Sequence, residues 1–317
     1  MQIIDSNILE LHFYRKDELH IIDAFTRNEC ERELLSVIKI ICADLNIDAS
    51  ILCQIPEEGG FKEFWKLIGK NSPQLTLLLA IIVLIYSRIP VENRKLVNLQ
   101  IENLELDNQI KKAELEKITN NLNTDSISSE IVEKIVEHFE SDFKVNWHKS
   151  NFYKKLLSEK EISAISFTGL DNNNKTTIPE KTIERAEFST FIINTSEFPP
   201  LIDEEAIIDI ISPVLKSGNF HWKGFYNKEI ISFQMKDEDF KNSVLNLEVD
   251  FNNATAIKCV LQQNRRIDDT GKIYITFNKV ITVLEITESN TTYETNQGKK
   301  YKKQRKENPI QLRMDLQ

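Results

Sequence analysis

Apolar and polar residues alternate at the start of the chain. "ILELHFYRK" reads as a half-buried strand and "HIIDAF" as a second short one. Thr26 then stands as the N-cap of a helix over "RNECERELLSVIKIICADLN", with Leu34, Leu35, Ile38, Ile41, Cys42 and Leu45 on one face. "ASILCQI" predicts another strand, Pro56 to Gly60 ("PEEGG") a turn, and "FKEFWKLIG" a short amphipathic helix. Together these predict a small N-terminal α+β domain over 1–71.

The pattern then changes. In "SPQLTLLLAIIVLIYSRIP", residues 72–90, there is no charge between Leu75 and Tyr86, and Thr76 is the only polar side chain in that span. Ser72 reads as the cap of a helix with Pro73 at its first position, and Pro90 marks its end or a kink. As α-helix, Pro73 to Ile89 is about 25 Å long, against a bilayer core of about 30 Å. No polar face interrupts the central turns, and neither flank reads as an α/β layer large enough to bury them. The expectation is a short hydrophobic membrane helix, and burial in a soluble core is the competing reading. Thr76, Ala80, Val83 and Ser87 share one face, a stripe of small side chains suited to close helix packing or to the lining of a narrow pore. One helix encloses no pore, so the second use requires an oligomer.

Residues 91–121 contain no Gly or Pro and predict a long helix. Leu96, Leu99, Asn103, Leu106, Ile110 and Ala113 recur at spacings of three and four, with Asn103 as the polar break that sets register in a self-associating seam. An ordinary helix packed on its own chain is the alternative. "SSEIVEKIVEHFESDFKVNWHKSNFYKKLLSEKE" adds one or two helices capped near Ser128 or Ser129, which makes 91–160 a central helical oligomerisation region. "SFTGLDNNNKTTIPEKT" reads as a polar loop and domain boundary. From 181 to 287, "AEFSTFIIN", "AIIDIISPVL", "NFHWKGFY", "EIISFQM", "ATAIKCVLQQ" and "KIYITFNKVITVLEI" read as strands. "DEDFKNSVL" is a single helix among them. Short strands at close spacing predict an antiparallel barrel or sandwich. Residues 288–317, with "QGKKYKKQRKENP", read as a basic flexible tail. The fold class is α+β throughout.

Composition narrows this. In a chain of 317 residues that is 28% charged and 41% apolar, at most one segment spans a bilayer. A net charge of -9 argues against a coat of nucleic acid but leaves room for a local basic groove. Cys30, Cys42, Cys53 and Cys259 form no CxxC pair and read as free thiols of a reducing compartment. The charged N-terminus is unlike a signal peptide, so the N-terminal region is expected in the cytoplasm. Lys62, Lys66 and Lys70 on one side of the apolar segment balance Arg88, Arg94 and Lys95 on the other, leaving its orientation open.

No enzyme signature emerges. His12, His20, His138, His148 and His221 form no HxxxH or HxH pair, and phosphate loops, GxGxxG turns and GxSxG elbows are missing. No metal or cofactor is expected. Acidic clusters at Asp203–Glu205, Asp237–Asp239 and Asp268–Asp269 sit in predicted turns or helix starts. Glu248 and Asp250 are the nearest approach to a nuclease site. Aromatic and basic residues interleave at Phe220, Trp222, Lys223, Phe225, Tyr226 and Lys228, joined by Arg265, Arg266, Lys272, Tyr274 and Lys279. On a small barrel this composition suits single-stranded nucleic acid, with rings stacking on bases and cations meeting phosphates. Trp222, Lys223, Arg265 and Arg266 are the candidate ligand contacts. The competing reading puts the aromatics in the core and the lysines in solvent.

A soluble N-terminal module, "LTLLLAIIVLIYS", the helix after it and a β-rich C-terminal module resemble in layout the channel-forming membrane effectors of bacterial anti-phage systems, above all the Hailong type. The resemblance spans the whole chain and carries over no functional residue. It implies a homo-oligomer, a tetramer or similar, that forms a channel held shut by an oligonucleotide or nucleotide ligand. A partner nucleotidyltransferase makes that ligand as short single-stranded DNA, and its loss during infection opens the pore. The expected location is the bacterial inner membrane, with membrane lipid as a partner and cytoplasmic domains. The alternatives are a non-enzymatic oligomeric scaffold or nucleic-acid-binding module without a pore, and a metal-dependent nuclease.

Overall fold

The opening alternation forms β1 (Ile8–Arg15), whose Leu9, Leu11 and Phe13 are buried while Glu10 and His12 are half-buried on the opposite face. The structure, a computed structural model, describes residues 7–17, 21–54, 62–88, 128–216, 218, 220–249, 251, 255–268, 270–288 and 291–307. Contacts gather the chain into two compact units, residues 1–194 and 195–317.

In the first unit β1 is the centre of a five-stranded antiparallel sheet. On one side it pairs with β3 (Lys62–Ile68), then β2 (Ser50–Gln54); on the other with β4 (Ile162–Leu170), then β5 (Thr176–Glu184). Strands from before and after the apolar segment therefore share one sheet. Leu9 faces Trp65 and Gly169, and Leu11 faces Glu63 and Phe167. Four helices contribute to the same core: α1 (Ala24–Asp44), α2 (Ser72–Ser87), α3 (Ser129–Glu140) and α4 (Phe143–Ser158).

Several local expectations change. "FKEFWKLIG" is strand β3 rather than a helix, because Glu63, Trp65 and Leu67 alternate inward and the segment is paired on both sides. Over so few residues the two periods are hard to separate. Asp23, not Thr26, caps α1, accepting from the Thr26 amide at 2.8 Å. The polar stretch after α4 is the β4–β5 hairpin, turned by Asp171, which accepts from the amides of Asn173 and Lys175 at 2.8 Å. "AEFSTFIIN" contributes to a 3-10 helix over Arg185–Phe191 instead of a strand.

The apolar helix α2 is the main correction. It has 16 residues, about 24 Å of helix. Among the described residues no helix is long and apolar enough to cross a membrane. Its length falls short of the bilayer core, and its side chains are already occupied. Leu77, Leu78, Leu79, Ile81, Ile82 and Val83 are all fully buried in the core of the first unit, against α1, α3, β4 and β5. Thr76, Ala80 and Val83 pack inside this core, and half-buried Ser87 donates to the Leu84 carbonyl at 3.4 Å, so the small-residue stripe lines no pore. The membrane helix, the channel, the inner-membrane location and the lipid partner fall with this. So does the resemblance to channel effectors, and with it the ligand supplied by a nucleotidyltransferase. The proposed seam at 91–121, on which the homo-oligomer rested, lies outside the described residues.

Polar contacts close the ends of this core. The Tyr153 hydroxyl donates to the Tyr86 carbonyl, and buried Lys149 donates from Nζ to the Arg88 carbonyl at 2.7 Å. Arg185 closes the C-terminus of α4. Its guanidinium donates to the carbonyls of Leu157 (2.8 Å), Glu159 (2.8 Å) and Ile162 (2.9 Å), and more weakly to Leu156 (3.4 Å). Orphan carbonyls at a helix end carry partial negative charge, and a planar fork of donors suits them. Arg185→Ala is expected to destabilise this unit by about 2–3 kcal/mol in chemical denaturation. Arg185→Lys should recover less than half of that, since one ammonium cannot span four carbonyls.

The second unit is a closed barrel. β6 (Glu197–Ser212), β7 (His221–Tyr226), β8 (Glu229–Met235), β10 (Ile273–Glu288) and β9 (Ala256–Ile267) follow one another around it, and β9 returns to β6. All pairs are antiparallel except β8–β10, which is parallel at Phe233–Asn278. Register breaks let β6 and β10, each 16 residues long, bend around the barrel. Helix α5 (Glu238–Leu245) follows β8, with Asp237 accepting from the amides of Phe240 (2.9 Å) and Val283 (2.7 Å). β11 (Thr291–Glu294) pairs with β10, and α6 (Asn296–Glu307) continues where a flexible tail was expected.

Candidate nucleic-acid interface

Strict alternation sets the two faces of β7. Trp222 and Gly224 point inward, while His221, Lys223 and Phe225 are exposed. Gly224 has no substitute here: a Cβ would lie 2.4 Å from Ile208 Cγ2 and 2.7 Å from the Asp209 carbonyl oxygen of neighbouring β6. On β8, Phe233 and Met235 are buried, and Ile230, Ser232 and Gln234 face out. Pairing builds rows across the wall. His221 stands beside Gln234, which stands beside Lys279 of β10; Lys223 stands beside Ser232; Phe225 stands beside Ile230.

β10 and β9 extend this wall. Tyr274, Ile275 and Phe277 are exposed, and Lys279 Nζ lies 4.8 Å over the Phe277 ring. Ile275 pairs with Arg265 and Tyr274 with Arg266. The Arg265 guanidinium lies 4.7 Å over Phe198, and Arg266 meets Glu197 only at 4.0 Å. From β7 to β9 is three ladder steps of about 4.8 Å, roughly 14 Å. Leu215 and Phe220, between β6 and β7, are also exposed. Asp268 organises the β9–β10 turn, accepting from Thr270 Oγ1 (2.6 Å) and from the amides of Thr270 and Lys272 (both 2.9 Å). The Thr270 hydroxyl, then these amides, hold its carboxyl below the usual range.

The four candidate contacts separate by parity. Trp222 is 2% exposed and packs its ring against Phe233, Phe240 and Phe251. Lys223 points outward, and no carboxylate pairs with it among the described residues. Arg265 and Arg266 are adjacent on β9 and so point to opposite faces: exposed Arg266 shares the parity of Asn264, the partner of Phe277, whereas Arg265 shares that of buried Gln263. Tyr226 leaves the outer set because its hydroxyl donates to Asp203 at 2.7 Å, and burial with that carboxylate pushes its pKa up to about 12. Phe277, Ser232 and Gln234 were not anticipated. The parity of "HWKGFY" was the available signal, since one bulky inward Trp implies outward Lys223 and Phe225. Asp209, opposite Phe225, and Glu229 put negative charge at the turn end of the face. The sequence of this unit nevertheless holds 17 Lys and Arg against 18 Asp and Glu, while residues 1–194 hold 23 against 31, so nearly all the net acidity lies in the first unit.

The first unit buries several charged side chains. Glu33 Oε2 meets His148 Nδ1 at 2.6 Å deep in the core, and its other oxygen meets Arg32 at 3.0 Å. Glu63 accepts from Arg27 and from Trp65 Nε1 at 3.1 Å. Burial raises the Cys30 and Cys259 thiols, and Cys42 to about 11, which leaves them poor nucleophiles. Among the described residues no three His, Cys, Asp or Glu side chains group to hold a metal, which removes the nuclease reading; Asp250 lies outside them. No family model, curated protein or solved structure matches the chain.

Proposed function

We propose that the C-terminal unit is a single-stranded nucleic-acid-binding module that works without a pore and acts by binding rather than by catalysis. The observation that carries this is the outer wall over β7, β8, β10 and β9, where Phe225, Tyr274 and Phe277 are exposed among Lys223, Lys279 and Arg266. Exposed rings offer stacking surfaces to unpaired bases, and the cations meet phosphates. The topology supports the same reading. A closed five-stranded barrel with a helix between its third and fourth strands is the arrangement of the OB-fold, whose second and third strands and flanking loops bind oligonucleotides. That likeness is one of architecture, and the chemistry of the face carries the assignment.

The test is fluorescence anisotropy of the full chain with labelled single-stranded DNA and RNA. Phe225→Ala and Phe277→Ala are each expected to weaken binding about 5- to 150-fold, the worth of one stacked base. Lys223→Glu should weaken it and flatten its dependence on salt. Absence of binding by the wild-type chain at low salt, or affinity indifferent to all three changes, rejects the reading.

A further inference from the structure

Helix α6 has two unlike sides. Its inner side is anchored: Tyr301 is buried beside Val260 and Leu284, and a Cβ on Gly298 would lie 2.3 Å from the Leu284 carbonyl oxygen. Lys302 Nζ lies 2.7 Å from both Glu285 and Glu294, and Arg305 meets Glu204 at 2.8 Å. The hydrogen bond to Glu285, then that to Glu294, pushes Lys302 up to about 12. These two cations, each nearly half exposed, are therefore paired with carboxylates.

The outer cations are not. Lys299, Lys300 and Lys303 are exposed, and none of them has an ion pair among the described residues. At spacings of three and four they share one helical face and repel one another. A helix of this composition stays formed because its inner side is docked, and the docking holds three unneutralised charges on rigid backbone. α6 sits on β10, the strand that also carries Phe277 and Lys279. From Lys279 to Leu284 is roughly 17 Å along that strand.

We propose that Lys299, Lys300 and Lys303 form a second contact for the phosphate backbone of single-stranded nucleic acid, extending the site beyond the barrel wall. This rests on the reading of the barrel as a nucleic-acid binder. A polyanion is favoured as occupant by charge alone: the stripe has no exposed aromatic or apolar residue to read bases or bury a protein partner. A strand long enough to leave the barrel face along β10 meets it next.

The test compares the full-length wild type with K299Q/K300Q/K303Q, using oligonucleotides of increasing length and a series of salt concentrations. The triple variant should melt as the wild type does, because all three side chains point away from the anchored side. For long oligonucleotides it should bind at least about 10-fold more weakly. The slope of log affinity against log salt should fall by about 2, the expected loss for three phosphate contacts on a single strand. Short oligonucleotides should bind both proteins equally, whereas Phe225→Ala weakens all lengths. An unchanged slope for long oligonucleotides, with Phe225→Ala still impaired, overturns the second contact and leaves the barrel reading standing. No binding by the wild type removes both. The proposal also fails if the triple substitution spares oligonucleotide binding but abolishes attachment to vesicles of equal parts phosphatidylcholine and phosphatidylserine.

Discussion

Ile82→Lys is expected to unfold the N-terminal unit. Ile82 is fully buried midway along α2, surrounded by a core that includes Leu34, Val37, Phe152 and Phe167 from α1, α4 and β4. A lysine there must either bury an unpaired ammonium or break the packing of several elements at once. Burying a charge without a partner is among the few changes that exceed about 4 kcal/mol, comparable to the whole stability of a domain. Limited proteolysis and far-UV circular dichroism should show loss of the unit, while amides of the barrel stay protected from hydrogen exchange. A variant that melts like the wild type and is recovered only in detergent would contradict the burial of α2. Leu79→Lys should behave the same way, since Leu79 is equally buried.

Trp222→Ala is the corresponding test of the barrel, with an expected cost of about 3–5 kcal/mol. The indole is 2% exposed and touches the rings of Phe233, Phe240 and Phe251, so its removal leaves a cavity where β7, β8 and α5 meet. Partial collapse decides where in that range the loss falls. Lys223→Ala, one residue on, should change stability by less than about 0.5 kcal/mol, because its side chain faces solvent. Two units need not unfold together, so one melting curve cannot report both. Hydrogen exchange resolved to the β7–β8 amides measures the barrel directly. The opposite outcome, a stable Trp222→Ala barrel with impaired nucleic-acid binding, would place Trp222 in the binding face.

The contrast between these neighbours shows how far sequence reaches into the candidate site. The interleaving of aromatic and basic residues from Phe220 to Lys228 is visible without coordinates, and so is the pair Arg265 and Arg266 beside a turn. Which half of the alternation faces out is not. Reversing the parity would exchange Trp222 and Gly224 for His221, Lys223 and Phe225, and a strand of this composition tolerates either in isolation. The short approach of β6 over Gly224 and the aromatic cluster around Trp222 settle it. Phe277 joined the wall for a different reason: the parallel pairing of β8 and β10 brings together residues 45 positions apart, as Phe233 with Asn278 and Gln234 with Lys279.

The apolar helix teaches the same lesson at larger scale. Its early Pro73 and its uninterrupted apolar middle follow from local chemistry, although Asn71 rather than Ser72 caps it by accepting from the Gln74 amide: an early proline suits a helix start, and uncharged side chains leave no polar face. By itself, then, the sequence determined a helix that must be covered on all sides, a run of strands in the C-terminal third and a basic segment near the end. It did not determine what does the covering. A bilayer and a protein core offer the same side chains the same apolar surroundings, and only the return of β4 and β5 beside β1, more than 140 residues along the chain, closes the second option around α2. Burial depends on contacts between distant segments, which no local period records.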